Sequence, residues 1–298
     1  MPRRATGAAP ECGVGRTIGP LLTAQVHAAI AAARAAGRAT LGVSLDLGRS
    51  QATIRLDAAG WHHEGRAYPL PEVCKERTIY YWTGEAFAPV ARYANALIKL
   101  VPTEWGAPTF EIDGIKMLPT ARVSPYADAE RKVGLIAPRG KIVLDCCGGL
   151  GYFADGCLRG GAQRILSFEK NADVIWLRTL NPWSPDHTVP GALTLTHGDV
   201  IEGIGAMADA SVDAILHDPP RFGIAGELYA QAFYDQLARV LKNGGRLFHY
   251  TGTPNKLTSR RDVPGEVAAR LQRAGFATEF NGDGVVAVKG GRGKPARR

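Results

Sequence analysis

Four carboxylates in the second half of the chain stand where apolar runs stop. Asp145 closes Ile142-Val143-Leu144, Glu169 closes the run from Arg164 to Phe168, Asp199 follows Leu193 to Thr196, and Asp218 follows Val212 to Leu216. Short apolar runs rich in branched residues read as buried parallel strands. In an open α/β sheet, ligands bind beyond the carboxyl ends of the strands, near the point where strand order reverses. The four acids are therefore expected to face one crevice. After the first comes the turn Cys146-Cys147-Gly148-Gly149-Leu150-Gly151, where missing Cβ atoms let backbone approach a ligand. The fourth opens Asp218-Pro219-Pro220-Arg221-Phe222. Two prolines fix φ and stiffen the loop, which keeps acceptor atoms held there in place. Singly, each piece has a plain structural reading: a capping glutamate, a rigid strand-end turn, packed cysteines. The ordered series is what points to chemistry.

The elements that must hold these residues alternate. After a helix from Tyr126 to Ala137, strands are expected at Ile142–Asp145, Arg164–Glu169, Leu193–His197, Val212–Asp218 and Arg246–Tyr250. Helices are expected at Tyr152–Arg159, Asp173–Leu180, Glu227–Leu241 and Gly265–Ala274, with a closing hairpin, Ala277–Phe280 and Val285–Val288. This pattern implies an α/β fold: a Rossmann-like, mostly parallel sheet with helices on both faces and one antiparallel strand, over residues 125–290. Residues 21–124 read as a smaller α+β domain. It would hold a helix from Leu21 to Ala36, a hairpin of Leu41–Leu45 with Ala52–Leu56, and a helical turn at Glu72–Glu76. Strands follow at Thr78–Tyr81, Ala86–Tyr93 and Leu97–Val101, then a hairpin turning at Asp113-Gly114. Residues 1–20 read as a flexible arm and 291–298 as a basic tail.

Composition sets the outer bounds. With 298 residues, 45% of them hydrophobic, the chain can bury a full core. A net charge of +8 favours a polyanionic partner, though ordinary solubility accounts for it too. No apolar run approaches a membrane span, and the first residues carry no signal-peptide core, so a cytoplasmic location is expected. Five cysteines, two of them adjacent, do not form a secreted disulfide framework or a chelating spacing. No metal role falls to His62-His63. Lys256, Arg260, Arg261, Lys289, Arg292, Lys294, Arg297 and Arg298 are candidate phosphate contacts, or else solvated loops and tail. Trp61, Tyr80, Tyr81, Trp82 and Trp105 are able to stack on bases, but a small β-rich domain more often uses such residues as core.

Together, these marks resemble the class I S-adenosylmethionine-dependent methyltransferases over roughly residues 125 to 290. The resemblance implies S-adenosylmethionine as cofactor. Its amino-acid tail would lie along Asp145, Cys147, Gly148, Gly149 and Gly151. Glu169, 24 residues after Asp145 and followed by Lys170, would hold the ribose diol, and Asp199 with the Val200 backbone would read the adenine. Several RNA methyltransferases carry cysteine where Cys147 stands, and a dinucleotide enzyme would want a fuller G-x-G-x-x-G. In similar amino-group methyltransferases, the acid and first proline carbonyl before an aromatic accept from an exocyclic amine. That implies catalytic roles for Asp218, Pro219, Pro220, Arg221 and Phe222, with Asp218 bordering the cofactor as well, although Arg221 stands where the aromatic is usual. Methyltransferases acting on uridine C5 share D-P-P-R but need a late cysteine nucleophile, and no cysteine follows Cys157.

The segment Phe110-Glu111-Ile112-Asp113-Gly114-Ile115, with His217 to Phe222 and Leu228 to Leu241, is most similar to an archaeal group. The enzymes this group resembles make N4-methylated cytidine in ribosomal RNA. The expectation is thus methyl transfer to cytidine N4 in structured RNA by a monomer. The alternatives are methyl or aminopropyl transfer to a polyamine or other small amine, and a non-catalytic RNA-binding assembly factor.

Overall fold

In the central strands, neighbouring residues pack into opposite layers. Val143, Ala214 and Phe248 belong to one buried cluster, while Leu144, Ile215 and Leu247 belong to another. A strand whose two faces are both apolar must be covered on both, which is why these runs lack polar alternation. The computed structural model describes residues 19–188, 190–221, 223, 225–252 and 262–290.

In chain order the first strands are β1 Leu21–Leu22, β2 Thr40–Val43, β3 Ala52–Leu56, β4 Trp61–His63, β5 Arg66–Tyr68 and β6 Tyr80–Trp82. Then come β7 Phe87–Pro89, β8 Ala91–Tyr93, β9 Leu97–Val101, β10 Thr109–Ile112 and β11 Ile115–Lys116. The large sheet holds β12 Ile142–Asp145, β13 Arg164–Glu169, β14 Leu193–His197, β15 Val212–His217, β16 Leu241–Tyr250, β17 Phe276–Asn281 and β18 Gly284–Lys289. The helices are α1 Ala24–Ala35, α2 Pro125–Ile136, α3 Tyr152–Arg159, α4 Ala172–Leu180, α5 Val200–Gly205, α6 Gln231–Val240 and α7 Val263–Arg273.

The large sheet runs β14-β13-β12-β15-β16-β18-β17. β12 pairs in parallel with both β13 and β15, and β18 alone runs against its neighbours. Strand order reverses at β12, so the crevice beyond β12 and β15 is the expected ligand position. The α/β fold with one antiparallel strand is as expected. Smaller sheets, β1-β6-β7, β2-β3-β4-β5 and β11-β10-β9-β8, build the N-terminal part. A buried cluster joins that part to the large sheet: Ile98, Leu100 and Phe110 pack with Ala129, Leu150, Tyr152, Val174 and Leu177.

Four local expectations change. The helix expected from Leu21 begins instead at Ala24. Leu21-Leu22 pairs with Tyr80 and Tyr81, and the Thr23 side chain accepts from the Val26 N–H as an N-cap. Residues 72–76 form no helix. The run Ala86–Tyr93 breaks at buried Val90, whose N–H goes to Ile79 and whose carbonyl serves Leu100, so it crosses between two sheets. The helix expected from Glu227 starts as a 3-10 turn at Gly226–Tyr229 and becomes α-helical only at Gln231, giving way to β16 at Leu241. No described helix is long and apolar enough to cross a membrane.

Candidate functional site

The glycine turn is held by hydrogen bonds from three directions. Cys146 N–H donates to the Leu216 carbonyl (3.0 Å) and Gly148 N–H to the Phe168 carbonyl (2.7 Å), clamping the turn to β15 and β13. A Cβ on Gly148 would stand 2.3 Å from Arg178 Nη2 and 2.4 Å from Ser167 Oγ. Only glycine fits there, and the crowding neighbour is protein rather than ligand. Gly149 (φ 47°) and Gly151 (φ 82°) bend the chain into α3. Glu169 Oε2 accepts from Gly149 N–H and Oε1 from Asn171 N–H, both at 2.8 Å, while Arg178 Nε donates to the Gly149 carbonyl at 2.5 Å.

Beneath this turn lie buried charges. Asp145 is 1% exposed and accepts from Ser167 Oγ at 2.8 Å. Burial pushes its carboxyl up to about 6, against the pull of Arg178 and Ser167. Burial likewise raises Glu169, opposed by hydrogen bonds from Asn171 and Gly149 and by Arg178. The Cys146 and Cys147 thiols are pushed well up by burial, which keeps them protonated and unreactive.

Across the crevice, Asp218 follows β15. Lys132 Nζ on α2 donates to Asp218 Oδ2 at 2.6 Å and stands 2.9 Å from Asp128 Oδ2. The Lys132 side chain is 4% exposed, against 23% for Asp218, so the acid faces the crevice and the lysine backs it. Burial works against the Lys132 charge, yet Asp218 and Asp128 hold the ammonium well above its ordinary range. Its Nζ also lies 4.2 Å from the centre of the Tyr250 ring.

Behind the proline pair, Tyr229 Oη donates to the Pro220 carbonyl at 3.1 Å. His217 Nε2 donates to the Leu228 carbonyl (3.0 Å), and His249 Nδ1 donates to the Tyr250 carbonyl (2.8 Å). The bare His249 Nε2 accepts from Tyr234 Oη at 2.9 Å. Both imidazoles are fully buried and neutral: burial lowers His217 to about 4 and His249 well below its ordinary value.

These parts enclose a cavity of about 1030 Å³. Cys147, Gly148, Gly149, Gly151, Glu169, Lys170, Asp199, Val200, Asp218, Pro219, Pro220 and Arg221 all line it. Glu169 and Asp218 thus stand on one cavity. Asp145 is not among the lining residues: it lies buried behind the turn. Asp199 caps α5 through the Ile201 N–H (2.9 Å) and pairs with Lys170 at 2.8 Å. Phe222, Lys256, Arg260, Arg261, Arg292, Lys294, Arg297 and Arg298 lie outside the described residues. Trp61 and Tyr80 are core, Trp61 stacking on Tyr68 at 4.5 Å, whereas Trp105 is exposed. His62 bonds Asp57.

Three charged residues on or behind the lining, Asp128, Lys132 and Arg178, were not singled out from the sequence. Lys132 and Asp128 sit four apart on α2, a spacing that ordinarily reads as a surface pair. The available signal was their position on the face that also carries Ala129, Val133 and Ile136. Arg178 ends α4 like any basic C-terminal residue, and nothing local marks it as buried. Phe110, Ile112 and Ile115, which belong to the segment that carries the archaeal resemblance, form with Lys116 a roof from the N-terminal part.

No protein-family model matches this chain. It is 40% identical over 226 residues to the uncharacterized protein MJ1233 of Methanocaldococcus jannaschii, spanning 74% of this chain and 77% of that protein. A spermidine synthase solved with the transition-state analogue AdoDATO superposes with a TM-score of 0.55 at 16% identity, covering 71% of this chain and 80% of that one. Spermidine synthase from Thermotoga maritima gives 0.53 at 16% identity, covering 71% and 79%. At such identities the likeness is one of fold.

Proposed function

This chain belongs to the family of the Methanocaldococcus jannaschii protein MJ1233, and we propose that it uses S-adenosylmethionine to methylate an exocyclic amine of a base in structured RNA, with cytidine N4 of ribosomal RNA as the target. The observation that carries this reading is the convergence on one cavity of the Gly148–Gly151 turn, Glu169, Asp199 and the Asp218-Pro219-Pro220 loop. A volume of about 1030 Å³ suits a nucleoside cofactor with a second flat molecule beside it.

The residues fit the cofactor. Glu169 lines the cavity while two backbone N–H groups fix its carboxylate, so it meets a ribose diol already oriented. Val200 offers backbone at the adenine edge, with Asp199 held by Lys170. Bound S-adenosylmethionine supplies an electrophilic methyl on a sulfonium. The protein's share is positioning. Asp218 and the Pro219 carbonyl would accept from the amine N–H groups and hold the nitrogen lone pair in one direction within the cavity, and the surplus N–H proton would leave to water. Residues 21–124 serve as the recognition part in this reading, since β9 to β11 roof the cavity.

The fold shared with spermidine synthases favours a second reading, transfer to a polyamine. Incubating the protein with labelled cofactor and cellular RNA, then separating nucleosides by mass spectrometry, tests the first. Labelled N4-methylcytidine is expected. Its absence from ribosomal and transfer RNA, with spermidine or putrescine labelled instead, overturns it in favour of the second.

A further inference from the structure

A lysine side chain only 4% exposed is costly unless carboxylates compensate it, and Lys132 has two. Its neighbours come from three elements: Asp128 on α2, Asp218 after β15, and the Tyr250 ring at the end of β16. Arg131 pairs with Asp128 and, at 2.7 Å, with Asp283 in the β17–β18 turn, so Asp128 is compensated twice. Among the described residues Lys132 is the partner of Asp218, and it takes Oδ2 alone. Oδ1 is left for the cavity.

An acceptor that meets this arrangement finds a hydrogen-bond acceptor whose charge is already cancelled. An uncharged amine asks for nothing more. An ammonium on Asp218 would lie within a few ångströms of the Lys132 charge, and the face of Tyr250, an aromatic on the same cavity, is already against Lys132. Elsewhere on the lining Asp199 pairs with Lys170 and Asp173 with Arg92, Lys116 and Arg221 are exposed cations, and Glu227 is an exposed acid.

Building on the transferase reading above, we propose that Lys132 is the specificity-determining residue of the acceptor site: it makes Asp218 one half of an ion pair and so restricts the acceptor to an uncharged, conjugated amine, rejecting polyamines and other ammonium compounds. Lys132 acts through Asp218 and is a positioning residue.

The test pairs two readouts in the full chain. Spermidine binding is measured by calorimetry in the presence of S-adenosylhomocysteine, and methyl transfer to RNA is followed with labelled cofactor. Lys132→Met should bind spermidine about tenfold tighter than wild type and methylate RNA about 100-fold more slowly, because an unpaired carboxylate attracts cations and loses its fixed orientation. Lys132→Arg should keep the wild-type preference at a lower rate. A merely structural lysine would lower both readouts together and leave their ratio unchanged, which overturns the proposal. So does a wild type that binds spermidine as tightly as Lys132→Met. Should Lys132→Met fail to fold, Asp128→Asn decides instead. It leaves Lys132 to Asp218 alone, so spermidine binding should weaken, and unchanged or tighter binding overturns the idea. Failure of wild type to methylate any RNA defeats the functional reading, whereas the spermidine comparison needs no turnover and judges this inference separately.

Discussion

The two walls of the cavity are built by different means. The wall of the glycine turn is local: residues 146–151 are pinned by backbone hydrogen bonds to the flanking strands and by Glu169 and Arg178 from the next strand and helix. The opposite wall is assembled from afar. Asp218 meets a lysine 86 residues earlier in the chain, and Asp283 reaches back 152 residues to Arg131. On the first wall function needs shape, a bend with no room for side chains. On the second it needs charge balance, and only the folded chain supplies the counter-charge. Removing the counter-charge on each wall in turn sharpens this contrast.

Arg178→Met is expected to have the largest effect. It strips the buried guanidinium that faces Asp145 and Glu169 and frees the Gly149 carbonyl. Removing one partner from a buried charge cluster costs about 3–5 kcal/mol. Urea unfolding should show that loss together with loss of cofactor binding. A variant of wild-type stability would mean the glycine turn is held by its backbone bonds alone.

Asp218→Ala comes next, and it should separate the walls. Losing one preorganised polar group at the reacting centre typically costs about 10²–10³ in rate. The expected outcome is a fall of that size in transfer with cofactor affinity unchanged by calorimetry. Equal loss of both would join the walls into one unit.

Two glycine substitutions then probe the shape-built wall. Gly148→Ala drives a Cβ to 2.3 Å from Arg178 and 2.4 Å from Ser167, an overpacking worth about 1–3 kcal/mol. At Gly149 the nearest atom outside the turn is Phe110 Cε1 at 3.8 Å, and the penalty is the positive φ, about 1 kcal/mol. Thermal melts should rank Gly148→Ala as the more damaging. The reverse order would mean that backbone strain, not crowding, dictates the turn.

The same contrast explains what the sequence disclosed. The alternation of apolar runs with helical periods announced the large sheet because each strand is buried on both faces, and burial leaves its mark in consecutive residues. The glycine turn and the acids at strand ends were legible for the same reason. Asp145 looked like its fellow acids, since nothing local distinguishes a carboxylate under a turn from one facing a cavity. Lys132 was hidden because its partners are distant in sequence, and its helix neighbour Asp128 gives a sufficient surface explanation. Leu21-Leu22 read as helix because the Ala-rich run behind it is, and only pairing with Tyr80 and Tyr81 shows otherwise.

The subtlest prediction concerns pH, where the walls have opposite signs. Burial raises Asp145 from an ordinary 3.8 to about 6, so the folded chain holds a proton that the unfolded chain has released between those values. Its contribution to stability is therefore complete below about 3.8 and lost as pH rises through about 6. Burial lowers His217 from 6.5 to about 4, so the unfolded chain binds the proton first. That contribution is complete above 6.5 and lost as pH falls through about 4. Between about 4 and 6 the two slopes oppose each other, each at most about 1.4 kcal/mol per pH unit. His249, lowered in the same direction as His217, adds to the loss of stability towards acid, while Glu169, raised by burial, opposes it alongside Asp145. Asp145→Asn removes one opposing slope and should steepen the loss towards acid. His217→Asn, whose amide still offers an N–H to the Leu228 carbonyl, should flatten it. Urea midpoints taken across pH 4 to 7 would show the three proteins fanning apart on the acid side. Parallel curves would mean that neither group holds its folded-state protonation as burial dictates, and the proposed difference in how the two walls carry charge would fall.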